Sequence, residues 1–212
     1  GHEVNVLSPN NNNFGRDLGI RHTKYRISRS STKDIHPWVA DFEPKIIRAE
    51  ACFNAARKLK EDGFTPDKIV AHYGWGESLF LKLIWPQAKL GLYCEFFYHA
   101  SGADVGFDPE FADADLADIC RLQLKNINNY LHFPLADGAL CPTHWQASTF
   151  PREFQDKMTI VHDGIDTDVV CPSDTASIKF KSGMEINSDS EIITFVSRTL
   201  EPYRGYHIFM RS

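Results

Sequence analysis

Lys68-Ile69-Val70-Ala71-His72-Tyr73-Gly74-Trp75-Gly76-Glu77 begins as a short apolar run and passes at once into a loop carrying two glycines. The run lacks the apolar–polar alternation of a half-exposed ribbon, so it reads as a strand of a parallel sheet covered on both faces. On its amino side, Glu43 to Lys60 sets Ile46, Phe53, Ala56 and Leu59 at helical spacing. Pro44 suits the first turn of that helix and Gly63 stops it. On its carboxyl side the alternation continues. Ser78 to Trp85 makes a brief helix ended by Pro86, and Lys89 to Phe97 is an apolar, aromatic strand. Asp115 to Leu131 is a long helix with Leu116, Ile119, Gln123, Ile127 and Tyr130 down one side. Gly138 to Cys141 is a strand, Thr143 to Phe150 a short helix closed by Pro151, and Met158 to Val161 a strand again. Together they predict an α/β, Rossmann-like parallel sheet with helices on both faces. Right-handed crossovers then put every strand's carboxyl end on one side, where ligands bind in such sheets.

The flanks are less regular. Gly1 to Leu7 reads as a turn and a short strand. The Asn10–Asn13 run is a loop, and residues 14 to 36 are polar and basic, with Arg16, Arg21, Lys24, Arg26 and Arg29. That stretch is expected to be a solvated loop, or a loop facing a substrate. After Asp166 the chain turns polar. Ser177-Ile178-Lys179-Phe180 and Met184-Glu185-Ile186-Asn187 flank Lys181-Ser182-Gly183 as a small hairpin. Ile192 to Val196 is expected to be a new buried strand, and a helix should begin after Gly205. The predicted division is therefore residues 1–168 as one domain and residues 169–212 as an interdomain segment with the start of a second Rossmann-like domain.

The 212 residues carry 28 acidic and 23 basic side chains, for a net charge of -5, and no basic face stands out. A nucleic-acid partner is not indicated. No run of about 18 apolar residues is present, so no membrane-spanning helix is expected; a peripheral membrane contact stays open. The five cysteines are odd in number and widely spaced without a CxxC pair, which fits reduced thiols in the cytoplasm. No structural zinc spacing is seen, and no metal is expected. No G-x-G-x-x-G follows a strand, which argues against a dehydrogenase, and no G-x-S-x-G elbow supports a serine hydrolase.

The residues after each strand are the candidates for chemistry. His72 ends its strand facing the ligand side, with a side chain suited to bonding a sugar hydroxyl or moving a proton near neutral pH. Trp75 offers a ring to stack on a sugar, and Gly76 and Glu77 complete that acceptor-binding loop. Glu95 is a carboxylate inside the aromatic run Tyr93-Cys94-Glu95-Phe96-Phe97-Tyr98 and needs a partner or a ligand. A core histidine, a packing tryptophan and a structural ion pair are the plain readings of the same residues. In Ile192 to Arg211, a strand leads to a loop with Arg198 and Arg204, then Gly205 and a helix. Such an arrangement holds phosphate: helix N–H groups, a glycine that admits close approach, and two guanidinium clamps.

Several stretches carry a resemblance. Phe195-Val196-Ser197-Arg198-Thr199-Leu200-Glu201-Pro202-Tyr203-Arg204-Gly205 resembles the "GR-x-x-x-x-KG" motif of family 4 glycosyltransferases, with Ser197 for the usual Gly and Arg204 for the usual Lys. Thr159-Ile160-Val161-His162-Asp163-Gly164-Ile165-Asp166-Thr167-Asp168 resembles the family's "V-x-N-G-V-D" segment, with Asp163 for Asn. His72 to Glu77 and Gly102-Ala103-Asp104-Val105-Gly106-Phe107-Asp108-Pro109-Glu110-Phe111 are similar to a bacterial subgroup. The resemblance implies a GT-B fold whose N-terminal, acceptor-side domain is residues 1–168. It implies transfer of a sugar, with retention, from a nucleoside-diphosphate sugar (UDP- or GDP-linked) to a carbohydrate or glycolipid hydroxyl. It implies a cytoplasmic enzyme, peripheral at the inner face of the membrane if it meets a membrane at all. Arg198, Arg204, Gly205, Gly164 and Asp166 would meet the donor; His72 and Glu95 would be catalytic; no cofactor or metal would be required. Gly1-His2-Glu3-Val4 looks like the start of the family's second strand, and the family's "E-x7-E" motif would fall beyond Ser212. Little transferase activity is thus expected of these 212 residues alone. A GT-B-fold nucleotide-sugar epimerase and a non-catalytic sugar- or nucleotide-binding protein remain the alternative readings.

Overall fold

A computed structural model describes residues 1–9, 19–103, 105–111 and 115–212. The Asn10–Asn13 run, Arg16 and Asp104 lie outside the described residues. The chain forms two compact units, one of Gly1–Phe107 with Ala112–His162, the other of Asp108–Phe111 with Asp163–Ser212.

The first unit holds a four-stranded parallel sheet of β3 (Lys68–His72), β4 (Lys89–Tyr93), β5 (Gly138–Cys141) and β6 (Met158–Ile160), in chain order. A separate parallel pair, β1 (Asn5–Pro9) and β2 (Arg21–Tyr25), precedes it. Helices α1 (Glu43–Glu61), α2 (Leu81–Ile84), α3 (Leu116–Lys125), α4 (Ile127–His132), α5 (His144–Ser148) and α6 (Arg152–Gln155) flank these strands. The sheet's two faces differ. Ile69, Leu90, Leu92, Ala139 and Cys141 share the buried face. Each leucine wholly removed from water there stabilises the fold by about 1.5–3 kcal/mol. On the opposite face Val70 is 75% exposed and Leu140 39%.

Three expectations are corrected here. Arg21–Tyr25 is a strand, not loop. Its sequence shows no apolar period, because pairing with β1 and burial of Tyr25 beneath α1, not the other side chains, hold it extended. The helix expected from Asp115 to Leu131 is broken at Asn126, which ends α3 and begins α4. Its buried positions are Leu122, Asn126, Asn128, Asn129 and His132, whereas Leu116 and Tyr130 are exposed. The apolar stripe of α1 holds in part: Ala56 and Leu59 are buried as expected, Phe53 packs against the core from its margin, and Ile47, Ala49 and Cys52 rather than Ile46 complete the buried face. Pro44 and Gly63 stand where expected at its two ends.

The second unit contains the antiparallel hairpin β7 (Ser177–Lys179) and β8 (Glu185–Asn187), 3-10 turns over Pro109–Phe111 and Pro202–Arg204, and α7 (Tyr206–Arg211). Gly183, with φ +89°, supplies the left-handed hairpin position. Ile192 to Val196 is not a strand. No strand among the described residues pairs with it, and a strand exists only through its ladder; Ile193 and Val196 stand almost fully exposed. No helix among the described residues is long and apolar enough to cross a membrane.

Candidate active site

The carboxyl ends of β3 and β4 bring His72 and Glu95 together. The parallel register sets His72 beside Tyr93, and the chain carries Glu95 two residues further on. His72 Nε2 lies 3.0 Å from Glu95 Oε2. The other ring nitrogen is committed: the Gly74 N–H donates to His72 Nδ1 at 3.1 Å. Nδ1 is therefore the acceptor, and the Nε2–H donates to Glu95. The imidazole thus orients the carboxylate. Glu95 keeps 55% of its side chain open to solvent and is the freer proton acceptor of the two.

A turn of 3-10 helix over Tyr73–Trp75 follows His72 and ends at Gly76, whose φ is +91°. Trp75 is 57% exposed, and the Arg48 guanidinium lies 5.4 Å over its ring. Gly76 and Glu77 face inward to the scaffold. A Cβ at Gly76 would stand 2.5 Å from the Lys45 carbonyl oxygen of α1. The Glu77 carboxylate accepts from Arg48 and from the Tyr25 hydroxyl, both at 3.3 Å. Burial, reinforced by Glu77, raises the Tyr25 phenol far above its ordinary range, so it remains a donor. The loop's ring is thus offered outward while its glycine and carboxylate anchor it to α1.

Several buried groups, absent from the sequence-based site, support the loops. The Tyr73 hydroxyl donates to the Phe96 carbonyl. Asn128 donates its amide to the Tyr73 carbonyl. Asn126 clasps the Tyr98 peptide, accepting its N–H at 3.0 Å and donating to its carbonyl at 2.8 Å. His132 is wholly buried between the Asn128 carbonyl (Nδ1, 2.7 Å) and the Ser78 hydroxyl (Nε2, 2.8 Å). Burial pushes its pKa down to about 4, which keeps it neutral. The signal in the sequence was the cluster Asn126-Ile127-Asn128-Asn129, polar residues where a helix should turn to the core.

The residues expected to meet the donor belong to the second unit. Gly164 takes a left-handed φ of +78°, as the Asp163–Gly164 turn requires. Asp166 Oδ1 accepts from the Asp168 N–H at 3.1 Å. Arg198 is exposed. Arg204 lies 3.0 Å from Glu201. A Thr199 hydroxyl bond, then Arg204, hold Glu201 down to about 2. Gly205, at φ +74°, ends the 3-10 turn and opens α7. In the same unit His207 meets Asp108 at 2.8 Å, and Arg211 grips both oxygens of Glu110. Ligand atoms of Asp108, Glu110 and His207 lie within 4.8 Å of one another, but Arg211 already balances that charge.

The chain matches a protein-family profile described as glycosyl transferase family 4 group, over residues 1–170. No curated protein sequence matches it.

Proposed function

This chain belongs to the glycosyl transferase family 4 group, and on that premise we propose that it serves transfer of a sugar from a nucleoside-diphosphate sugar to an acceptor hydroxyl, with retention. The family match carries the reading, and the His72–Glu95 pair at the strands' carboxyl ends supports it. In this reading residues 1–168 are the acceptor-side domain of a GT-B fold. Residues 169–212 lead into the donor-binding domain.

Glu95, oriented by His72, accepts the hydrogen bond of the acceptor hydroxyl and draws off its proton as the glycosidic bond forms. Trp75 receives the apolar face of the acceptor sugar, and Gly76 and Glu77 fix its position. Arg198 and Arg204, with the backbone at Gly205, stabilise the charge that develops on the departing diphosphate. Gly164 and Asp166 shape the turn next to the donor. No metal is needed where guanidinium groups carry that charge. A carbohydrate or glycolipid acceptor at the cytoplasmic face of a membrane fits the family's chemistry.

The test is turnover of a panel of UDP-, GDP- and ADP-sugars by the whole gene product, with Arg198→Ala and Arg204→Ala beside it. Each lost guanidinium should cost about 3 kcal/mol of transition-state stabilisation, or roughly a hundredfold in kcat. Release of free sugar or nucleotide without acceptor glycosylation would favour the epimerase. Donor binding without any turnover would replace catalysis by binding.

A further inference from the structure

The site reading rests on two loops, one after β3 and one after β4, and on the contact between His72 and Glu95. Apart from the single 3-10 turn at Tyr73–Trp75, the two loops lack regular structure, so something must hold them. We propose that Asn126 and Asn128 are positioning residues: as one rigid brace on α4 they set both loops and so the His72–Glu95 geometry.

Both asparagines are almost wholly buried. Burying an amide without partners costs a few kcal/mol, so each is retained for the bonds that it makes. Their amide N–H groups both donate to backbone carbonyls of the site loops, and Asn126 Oδ1 accepts from the Tyr98 N–H and from Asn129, whereas Asn128 Oδ1 is buried without a partner among the described residues. Asn128 holds the Tyr73 carbonyl, immediately after His72. Asn126 holds both polar groups of the Tyr98 peptide, three residues after Glu95. Asn129 donates to Asn126 Oδ1 at 3.1 Å and locks that amide's orientation. His132, from the last turn of the same helix, takes the Ser78 hydroxyl at the far end of the His72 loop. The Tyr73 hydroxyl then ties the two loops together through the Phe96 carbonyl. At the junction of α3 and α4, Asn126 keeps a right-handed helical backbone, and its side-chain amide pairs with the Tyr98 N–H and C=O as a neighbouring strand would.

The inference deepens the transferase reading and depends on it for the importance of His72 and Glu95, but its test needs no substrate. Amide hydrogen exchange is followed by NMR in the 212-residue chain, with Asn128→Asp and Asn126→Ala. The reporter is the Gly74 N–H, which is bonded to His72 Nδ1 and shares its peptide unit with the Tyr73 carbonyl that Asn128 holds, while Asn126 bonds to neither group. The internal standard is the amides of Leu90 and Leu92 in the sheet. Loss of one buried hydrogen bond should quicken Gly74 exchange by about tenfold relative to the standard in Asn128→Asp. In Asn126→Ala, which touches only the Tyr98 side, the relative gain should exceed about threefold. Leu59→Ala, a core cavity in α1, should quicken all three amides alike. Equal changes at Gly74 and at Leu90 and Leu92 in the asparagine variants would reduce the brace to ordinary core structure and overturn the proposal, as would no change at Gly74. Asn126→Ala decides alone if Asn128→Asp does not fold. If the whole gene product turns over a donor, both variants should lower kcat with the donor KM unmoved. A gene product with no turnover strikes the transferase reading and leaves the exchange result standing.

Discussion

Gly76 and Gly63 share a backbone φ of +91° but not an environment, and the pair separates two costs that are usually entangled. Alanine at either position must take a left-handed conformation, which costs about 1–2 kcal/mol. At Gly63, just past the end of α1, nothing lies within 4 Å of the new Cβ, so that is the whole penalty. At Gly76 the Cβ would lie 2.5 Å from the Lys45 carbonyl oxygen, 2.8 Å from Lys45 Cβ and 2.9 Å from the Lys45 carbonyl carbon. Those atoms belong to the first turn of α1, which cannot yield without tilting the helix. Overpacking of this kind adds about 1–3 kcal/mol. Gly76→Ala should therefore cost about 2–5 kcal/mol in all and Gly63→Ala about 1–2. Urea unfolding followed by circular dichroism measures both, and the midpoint should move with an unchanged slope. In a thermal melt each kcal/mol should lower the midpoint by about 2–4 °C in a chain of this size. Equal destabilisation by the two variants would refute the reasoning. It would mean that the Tyr73–Glu77 loop moves off α1 at no cost and is not anchored by Gly76.

Two pH effects follow from groups with displaced pKa values. Hydrogen bonds from Lys89 and from the Leu90 N–H hold Asp137 down to about 2, from the ordinary 3.8. Its stabilisation is complete above the unfolded value and is lost as pH falls through the folded one; Asp137→Asn should flatten the stability profile between about pH 4 and 2. His132 is held neutral, its pKa lowered from 6.5 to about 4. The unfolded chain gains a proton in that window and the folded one does not, so stability falls by on the order of 3 kcal/mol from pH 6.5 to 4, and His132→Gln should remove that slope. Thiol chemistry should also be ordered: burial pushes the Cys52 thiol up to about 12 and raises Cys94 further, whereas Cys171 is exposed. Brief iodoacetamide treatment at neutral pH, read by mass spectrometry, should mark Cys171 well before Cys52, Cys94 or Cys141.

The parallel core was legible because its signals are local and strong. β5 occupies the residues that the sequence indicated, and α1 lies between the proline and the glycine that bound it. Arg21–Tyr25 was not legible, because its extended form is imposed by β1 and not by its own side chains. Ile192–Val196 misled for the converse reason: the run has strand character, but a ladder needs a partner, and none pairs with it among the described residues. The meeting of His72 and Glu95 could be anticipated in part, since both follow strands whose carboxyl ends share one edge. The tautomer of His72 could not, since it depends on the Gly74 N–H within a turn. Nor could the asparagine brace, since hydrophobic periodicity is blind to polar side chains that are buried by design. The stripe drawn from Leu116 to Tyr130 followed apolar residues and so missed the face that carries Asn126, Asn128 and His132.

The order of the four-stranded sheet has a consequence for synthesis. Lys68 pairs with Lys89, Gly91 with Gly138, and Ala139 with Met158, so every strand joins the edge left by its predecessor. A sheet whose later strands insert between earlier ones must hold a gap open until translation supplies the missing piece. Here, from β3 to β6, none is needed. Ribosomes deliver about 5–20 residues per second, far slower than a crossover closes, so each strand can dock as it emerges. The sheet then grows at one edge only, the other being the β3 strand that was laid down first.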